Sequence, residues 1–276
     1  MKTHNQNGTV YTTPFISWQE SLPPLLDKAR LTEHIPPGKT ILIKPNLVET
    51  LRPPITTPVA LVRCIVEYLQ KHLNNPIVIG EGCGALDYDT HRCFTELGYT
   101  EMARETGVEL IDLNNAPCQR HSLSRCKRWS EFYLPKIAMD SFLVSVPTLK
   151  AHTLAGVTLA MKNMMGLAPP NRYHQRGHWK KAAFHKQIHE AVADLNRYRC
   201  PDFTIMDATV GMAEAHLWGP TCDPPINKLV AGFDPVAMDS YGAMLLGMNW
   251  EQIGHIADVD GELGQAEPIT KITIKG

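Results

Sequence analysis

No stretch of the chain is apolar for long enough to cross a bilayer, because its longest apolar runs are short and broken by polar residues. An excess of one charge sign is also missing. Lys and Arg number 27 against 28 Asp and Glu, a net charge of −1, so no whole-chain field draws in nucleic acid or an anionic membrane. A local basic patch remains compatible with that balance. There is no internal repeat and no low-complexity segment. The seven cysteines, Cys64, Cys83, Cys93, Cys118, Cys126, Cys200 and Cys222, are odd in number and contain no C-x-x-C pair. That pattern argues against a disulfide framework and against an iron–sulfur cluster on this chain, and it fits reduced thiols. Cys118 and Cys126 are left as a pair that could meet another ligand in space. Residues Met1 to Tyr11 are polar and lack the apolar core of a signal peptide, so a cytoplasmic location is expected.

The chain does hold enough material for a real core. Its 276 residues are 43% hydrophobic and 20% charged. This predicts a single α/β domain over 1–276, or two lobes with a cleft between regions 40–110 and 140–215. Short apolar runs at 40–44, 76–80, 108–112, 141–146, 203–207, 228–232 and 269–274 read as strands, with an edge segment at 130–135 before Pro135. Helical spacing falls between them, at 59–72, 88–106, 154–165, 179–198, 235–247 and 250–258. Thr56 and Thr57 before Pro58 read as a helix cap followed by a first-turn proline. Strands alternating with helices predict a largely parallel, doubly wound, Rossmann-like sheet with helices on both faces. Ligands gather beyond the carboxyl ends of such strands. The polar segments 44–52, 80–84, 147–152 and 207–216 fall there.

Lys150 and His152 follow a buried strand directly, and Lys162 and Asn163 sit among Met161, Met164 and Met165. Lys162 either snorkels to solvent or is buried; burial would lower its pKa and make it a base, a nucleophile or an anion ligand. His174, His178, His185 and His189 would form one stripe on a continuous helix, spanning about 22 Å, too long for a single metal ion. His185 and His189 alone have the i, i+4 spacing of two metal ligands. A solvated basic face with Lys180, Lys181 and Lys186 is the other reading. Arg52 and Glu49 lie in the loop after the first strand, where the guanidinium could grip an anion or simply pair with the glutamate. Gly80-Glu-Gly-Cys-Gly84 lacks the full dinucleotide pattern. Asp234 before Pro235 reads as a cap.

Four runs carry a family resemblance. Lys44-Pro45-Asn46, the run Pro147-Thr-Leu-Lys-Ala-His-Thr-Leu-Ala-Gly-Val-Thr-Leu-Ala-Met-Lys-Asn163, Met206-Asp-Ala-Thr209 and Asp234-Pro-Val-Ala-Met-Asp239 resemble the domain-of-unknown-function 362 family. Some members of that family carry fused iron–sulfur modules, which implies an iron–sulfur protein as a partner for this chain. More distantly, Glu49-x-x-Arg52-Pro53, His152, Lys162 and His178 are similar in spacing to the amino-terminal domain of the nickel-pincer lactate racemases. That resemblance implies a covalent nickel-pincer cofactor on Lys162, nickel ligation by His178, a base at His152 and substrate binding by Arg52. The chain departs from it in having Glu49 for aspartate, Ala160-Met161 for glycines, and Gly82-Cys83-Gly84-Ala85 where the family has its second catalytic histidine.

The sequence thus leads to an enzyme, of isomerase or oxidoreductase class, acting on a small anionic hydroxy or keto acid. His152 and Lys150 would be catalytic. Lys162, His178 and Asn163 would hold a divalent metal or metal-organic cofactor, with His185 and His189 as alternative metal ligands. Arg52, Glu49, Lys44 and Asn46 would contact the substrate. Two other expectations stay open: a non-catalytic binding or electron-transfer accessory protein working with an iron–sulfur partner, and a scaffold in which the 147–163 run only packs.

Overall fold

The apolar run after residue 40 forms a fully buried strand in a computed structural model that describes residues 7–274. In chain order the strands are β1 (Thr9–Pro14), β2 (Ile41–Pro45), β3 (Ile77–Glu81), β4 (Glu109–Asp112), β5 (Cys118–Ser122), β6 (Glu131–Pro135), β7 (Phe142–Val146), β8 (Thr148–His152), β9 (Gly156–Thr158), β10 (Phe203–Met212), β11 (Lys228–Gly232) and β12 (Thr270–Thr273). The main sheet runs β12-β1-β11-β10-β7-β2-β3-β4, with β8 paired to β10 and β9. Strands β10, β7, β2, β3 and β4 are mutually parallel, and β11 runs antiparallel to both β10 and β1. Strands β5 and β6 form a separate hairpin, so the segment expected as an edge strand lies outside the main sheet.

Side chains alternate across β2 because a strand has period two. Ile41 and Ile43 enter one core with Leu22, Leu25, Leu61, Ile65, Phe94 and Met102 from the helices Trp18–Lys28, Val59–His72, Thr90–Glu96 and Tyr99–Thr106. Leu42 and Leu143 enter the opposite core with Phe132, Phe184 and Leu195, the last on the helix Ile188–Tyr198. The helix Pro235–Leu245 covers the same side further along, against Val157, Met206 and Val230. Each such aliphatic side chain removed from water contributes roughly 1.5–3 kcal/mol. Helices on both faces of a mostly parallel sheet are the Rossmann-like arrangement the alternation predicts. Among the described residues no helix is long and apolar enough to cross a membrane.

The parallel strands reverse direction of growth at one place. From β2 the chain adds β3 and β4 on one side, then returns to place β7 and β10 on the other. The loops leaving β2 and β7 therefore diverge and open a crevice at their carboxyl ends. Regions 40–110 and 140–215 supply neighbouring strands of one sheet, and the crevice lies between their loops.

Local structure departs from expectation at five points, one of them the 250–258 region, which divides at the extended Ile253 into a 3₁₀ turn Trp250–Gln252 and a short helix Gly254–Ala257. Thr57 does not cap the helix Val59–His72, whose flanking residue is Pro58. Its hydroxyl instead accepts the Asn46 N–H at 2.8 Å and donates to the Val146 carbonyl at 2.6 Å, tying the ends of β2 and β7 together. The helical region 88–106 is two helices, parted by Gly98 at φ 82°, a left-handed conformation glycine adopts freely. The 154–165 region is not one helix. It holds β9, a single turn Ala160–Asn163 and a 3₁₀ turn Met164–Leu167, because Gly156 at φ 75° folds the chain back as a hairpin with β8. Residues 179–198 also divide, into a 3₁₀ turn Ala182–His185 and the helix Ile188–Tyr198, with Gln187 at φ 51° between them. His185 and His189 are consequently not one turn apart on a common helix. Asp234 does cap the helix Pro235–Leu245, accepting the Val236 and Ala237 N–H groups.

Candidate active site

A cavity of about 660 Å³ occupies the crevice beyond β2 and β7. All four polar segments at the strand ends contribute to its wall, through Lys44 and Asn46, Glu81 and Gly82, Lys150 and His152, and His216. Four lysines line it, Lys44, Lys150, Lys162 and Lys181, against one carboxylate, Glu81.

Glu81 is already matched. Both its carboxylate oxygens accept hydrogen bonds from the Lys44 ammonium, at 2.8 and 3.0 Å, and they also accept the Gly82 and Leu47 N–H groups. Lys44 further donates to Asn163 Oδ1 and to the Pro45 carbonyl. Both side chains are buried, so the pair forms the charged floor of the cavity rather than a reactive edge. A Cβ on Gly166 would lie 2.0 Å from Glu81 Oε1 and 2.5 Å from Lys44 Nζ, so only glycine lets the backbone seal this floor.

Asn163 and Asn46 serve the same floor. Asn163 Oδ1 accepts from Lys44 and Asn46, and its Nδ2 donates to the Lys44 carbonyl and to Ser145 Oγ. Asn46 Oδ1 accepts from the Lys150 amine at 2.8 Å. These amides brace the lysines from behind. Of the expected contact residues, Lys44, Asn46 and Asn163 thus reach the cavity with their hydrogen bonds spent on protein.

The other three amines lack a carboxylate. Lys150 donates to Asn46 Oδ1 and the Ile55 carbonyl. Lys181, only 5% exposed, donates to the carbonyls of Gly82 and Gly166; it is a buried wall residue, not part of a solvated basic face. Lys162 is half-buried and makes no hydrogen bond or ion pair among the described residues. Burial brings each of the three down from the ordinary lysine value to about 7, with repulsion from Lys162 adding to the shift at Lys150. Lys162 is aimed by a buried carboxylate: Asp239 accepts the Ala160 N–H at 2.7 Å and the Met161 N–H at 3.2 Å, pinning the single helical turn that carries it.

His152 is held as a neutral donor. Its Nδ1 accepts the Leu154 and Ala155 N–H groups at 3.0 and 3.1 Å, so the ring proton sits on Nε2. Burial and the nearby amines push its pKa far below the usual range. His216 stacks on it, and burial with Lys162 and Lys150 beside it brings His216 down to about 3. His178 and His185 line the same cavity from its exposed rim.

Arg52 and Glu49 do not join them. Arg52 is exposed, Glu49 is half-buried with its pKa raised by burial, neither lines the cavity, and they form no ion pair with each other. Lys150 and Lys181 line the cavity where Arg52 was expected. His189 faces away, with its Nδ1 3.2 Å from His255 Nδ1, so the His185/His189 pair expected for metal is split between two places. Among the described residues no group of three or more His, Cys, Asp or Glu side chains is placed to hold a metal ion. A divalent ion gripped by protein ligands alone does not fit this lysine-rich wall.

The residues that sequence reasoning passed over are Glu81, Lys181, His216 and Asp239. Glu81 lies within the glycine-rich turn Gly80–Gly84, whose spacing signals a close backbone approach and gives no sign of a buried ion pair. Lys181 carried no local signal, since its burial depends on the loop that follows Leu167 folding back over β3.

Comparison with known proteins gives a family and a relative. The family model described as a domain of unknown function, DUF362, matches residues 41–244. The chain is 23% identical over 216 residues to thylakoid-associated protein sll1697 of Synechocystis sp., covering 74% of this chain and 62% of that protein. It therefore spans less than two thirds of the relative's length.

Proposed function

The chain belongs to the DUF362 family, and from its own cavity we propose that it is an enzyme acting on a small acid with a carbonyl or hydroxyl next to the carboxylate. One observation carries this reading: three amines face one cavity whose single carboxylate is already paired with a fourth. A bound anion supplies the missing negative charge, and in a site sheltered from water that attraction is strong.

The geometry supports the following roles. Lys150 and Lys181 hold the carboxylate. His152 donates its Nε2–H to the neighbouring oxygen; with Nδ1 occupied it is an oxygen-binding donor rather than the base the resemblance implied. Lys162, without a hydrogen bond or ion pair among the described residues and lowered by burial to about 7, so that about half of it is the neutral amine at pH 7, is the reacting amine. With a 2-keto acid, its lone pair adds to the carbonyl carbon. The carbinolamine then expels water, built from the carbonyl oxygen and the two amine protons, and leaves an imine that draws electrons from adjacent bonds. An isomerase can be built on that step; an oxidoreductase would need a hydride or electron carrier as co-reactant in addition.

A second reading rests on the same free amine. Lys162 could carry an organic metal-binding cofactor in amide linkage, with His178 at the rim as its one protein ligand to the metal; the cofactor would supply hydride or electron transfer. A cofactor that brings its own donor atoms does not need a three-residue cluster, which is absent among the described residues. A role as an electron-transfer accessory to an iron–sulfur protein is less well supported, because the inward-facing lysines have no function in it. A cytoplasmic location is part of the proposal and fits the seven free cysteines.

The test joins calorimetry to mass spectrometry. Oxalate and pyruvate should bind the wild-type protein, with about tenfold weaker affinity in Lys150→Met and Lys181→Met. Borohydride added with pyruvate should leave one reduced adduct, on Lys162, absent from Lys162→Met. No binding of either acid at millimolar concentration would overturn the proposal. A mass increment already on Lys162 in protein from its native host would select the second reading.

A further inference from the structure

The cavity changes character from floor to mouth. Its inner wall carries Lys150, Lys162, Lys181 and His152, while its mouth carries Leu154, Trp179 and Trp218. Five large apolar side chains stand exposed among the described residues, and two of these, Leu154 at 55% and Trp218 at 73%, line this one cavity. The remaining three, Ile16, Leu86 and Met244, do not. Trp218 is also held at φ 51°, in the left-handed region that bulky residues rarely adopt. An indole kept in water by a disfavoured backbone, at the lip of a charged pocket, has a surface to offer a ligand. The volume agrees: about 660 Å³ lies within the roughly 300–1,000 Å³ of sites that hold ligands well beyond three-carbon size.

Resting on the anion reading above, we propose that the occupant is an amphipathic acid, its carboxylate among the lysines and a planar aromatic ring against Trp218 and Trp179 at the mouth. The ligand class is an aryl-substituted 2-keto or 2-hydroxy acid rather than pyruvate or lactate themselves. A flat ring suits this mouth better than a flexible chain. Indole faces offer stacked and edge-on contacts to a ring beyond the area they cover, and a rigid ring loses less freedom on binding than an alkyl chain does.

The experiment is calorimetric titration with pyruvate, phenylpyruvate, indole-3-pyruvate and 2-oxooctanoate. It uses the wild-type protein, Trp218→Ala and Trp179→Ala, with Ile16→Ala as a surface control. Because Trp218 is exposed, its removal leaves the core intact. The two aryl acids should bind at least tenfold tighter than pyruvate. Trp218→Ala should shrink that ratio to threefold or less while leaving pyruvate affinity unchanged, and Ile16→Ala should change neither. Equal affinity for pyruvate and the aryl acids, tightest binding of 2-oxooctanoate, or an unaltered ratio in both tryptophan variants would overturn the aromatic assignment and leave the anion reading standing. No binding of any of the four acids would overturn both.

Discussion

The imidazole of His152 lies stacked on that of His216, with ring centroids 3.8 Å apart and planes 17° from parallel. Two imidazolium rings in that arrangement would repel strongly, and four lysines share their cavity. The structure resolves the conflict by keeping both rings neutral. Two backbone N–H groups occupy His152 Nδ1, and burial disfavours charge on either ring. A neutral imidazole with a fixed Nε2 proton is a hydrogen-bond donor at every physiological pH, which suits an oxygen that gains negative charge during reaction.

Nitrogen-15 spectra of the histidine rings should therefore show His152 as the Nε2–H tautomer from pH 5 to 8. His216 should not titrate in that range either. A His152 midpoint near 6.5 would contradict the donor role. His152→Ala should cost about 1–3 kcal/mol in urea denaturation by leaving the Leu154 and Ala155 N–H groups of a tight turn without an acceptor.

Glu81→Gln is expected to be more damaging than any loss at the cavity mouth. The substitution keeps the shape but leaves the Lys44 ammonium buried without its counter-charge. Removing one partner of a buried pair costs on the order of 3–5 kcal/mol. Lys44→Met in the same chain should restore part of that loss, since it takes away the stranded charge. Denaturant midpoints of the two single variants and the double variant measure the coupling, and additive losses would mean that the pair is not an ion pair in solution.

Asp239 acts on Lys162 at one remove. It never reaches the cavity; it fastens the Ala160–Asn163 turn, while burial drives its carboxyl up to about 8 against the two N–H groups that lower it. Asp239→Ala should cost about 1–3 kcal/mol and slow borohydride trapping of pyruvate at Lys162 by at least tenfold, with little change in oxalate affinity. Asp239→Asn, which retains one acceptor, should fall between. Equal losses of trapping and oxalate binding would indicate general disruption rather than positioning.

Much of this architecture was legible from residue pattern, and the reasons are local. Strand β2 announces itself as Ile41-Leu42-Ile43, and its carboxyl end had to face the crevice once the sheet was parallel. Lys150, His152 and Lys162 were legible because strand, turn and helix bring them together within 13 positions of sequence. The hairpin that replaces the first part of the expected 154–165 helix was hidden, because Gly156 looks tolerable in a helix until β10 offers β8 a partner. Arg52 misled for a related reason: its loop leaves the right strand, but the chain turns outward before reaching it. Lys181, Asp239 and Glu81 could not be joined by inspection. They come from three separate segments, and nothing short of the folded chain brings the amine at 181 over Gly82 or the carboxylate at 239 under Ala160.

The last expectation concerns proton uptake. A lysine amine is ordinarily protonated up to a pH far above neutrality, yet burial brings Lys150, Lys162 and Lys181 each to about 7. Below that value the amines already carry charge, and an anion binds without further protonation. Above it the free protein has lost protons that the bound anion calls back. Affinity for oxalate should thus be highest below pH 7 and fall as pH rises, by up to about tenfold per unit for each lysine reprotonated. Calorimetry at pH 8 in buffers of different ionisation enthalpy should register uptake of one to three protons, fewer by one in Lys181→Met. Imine formation at Lys162 needs the opposite state, a neutral amine, so trapping of pyruvate should rise with pH through about 7 and then decline as binding fails, giving a bell. A flat profile with no proton uptake would mean that the amines keep their ordinary values and that the cavity is wetter than its walls imply.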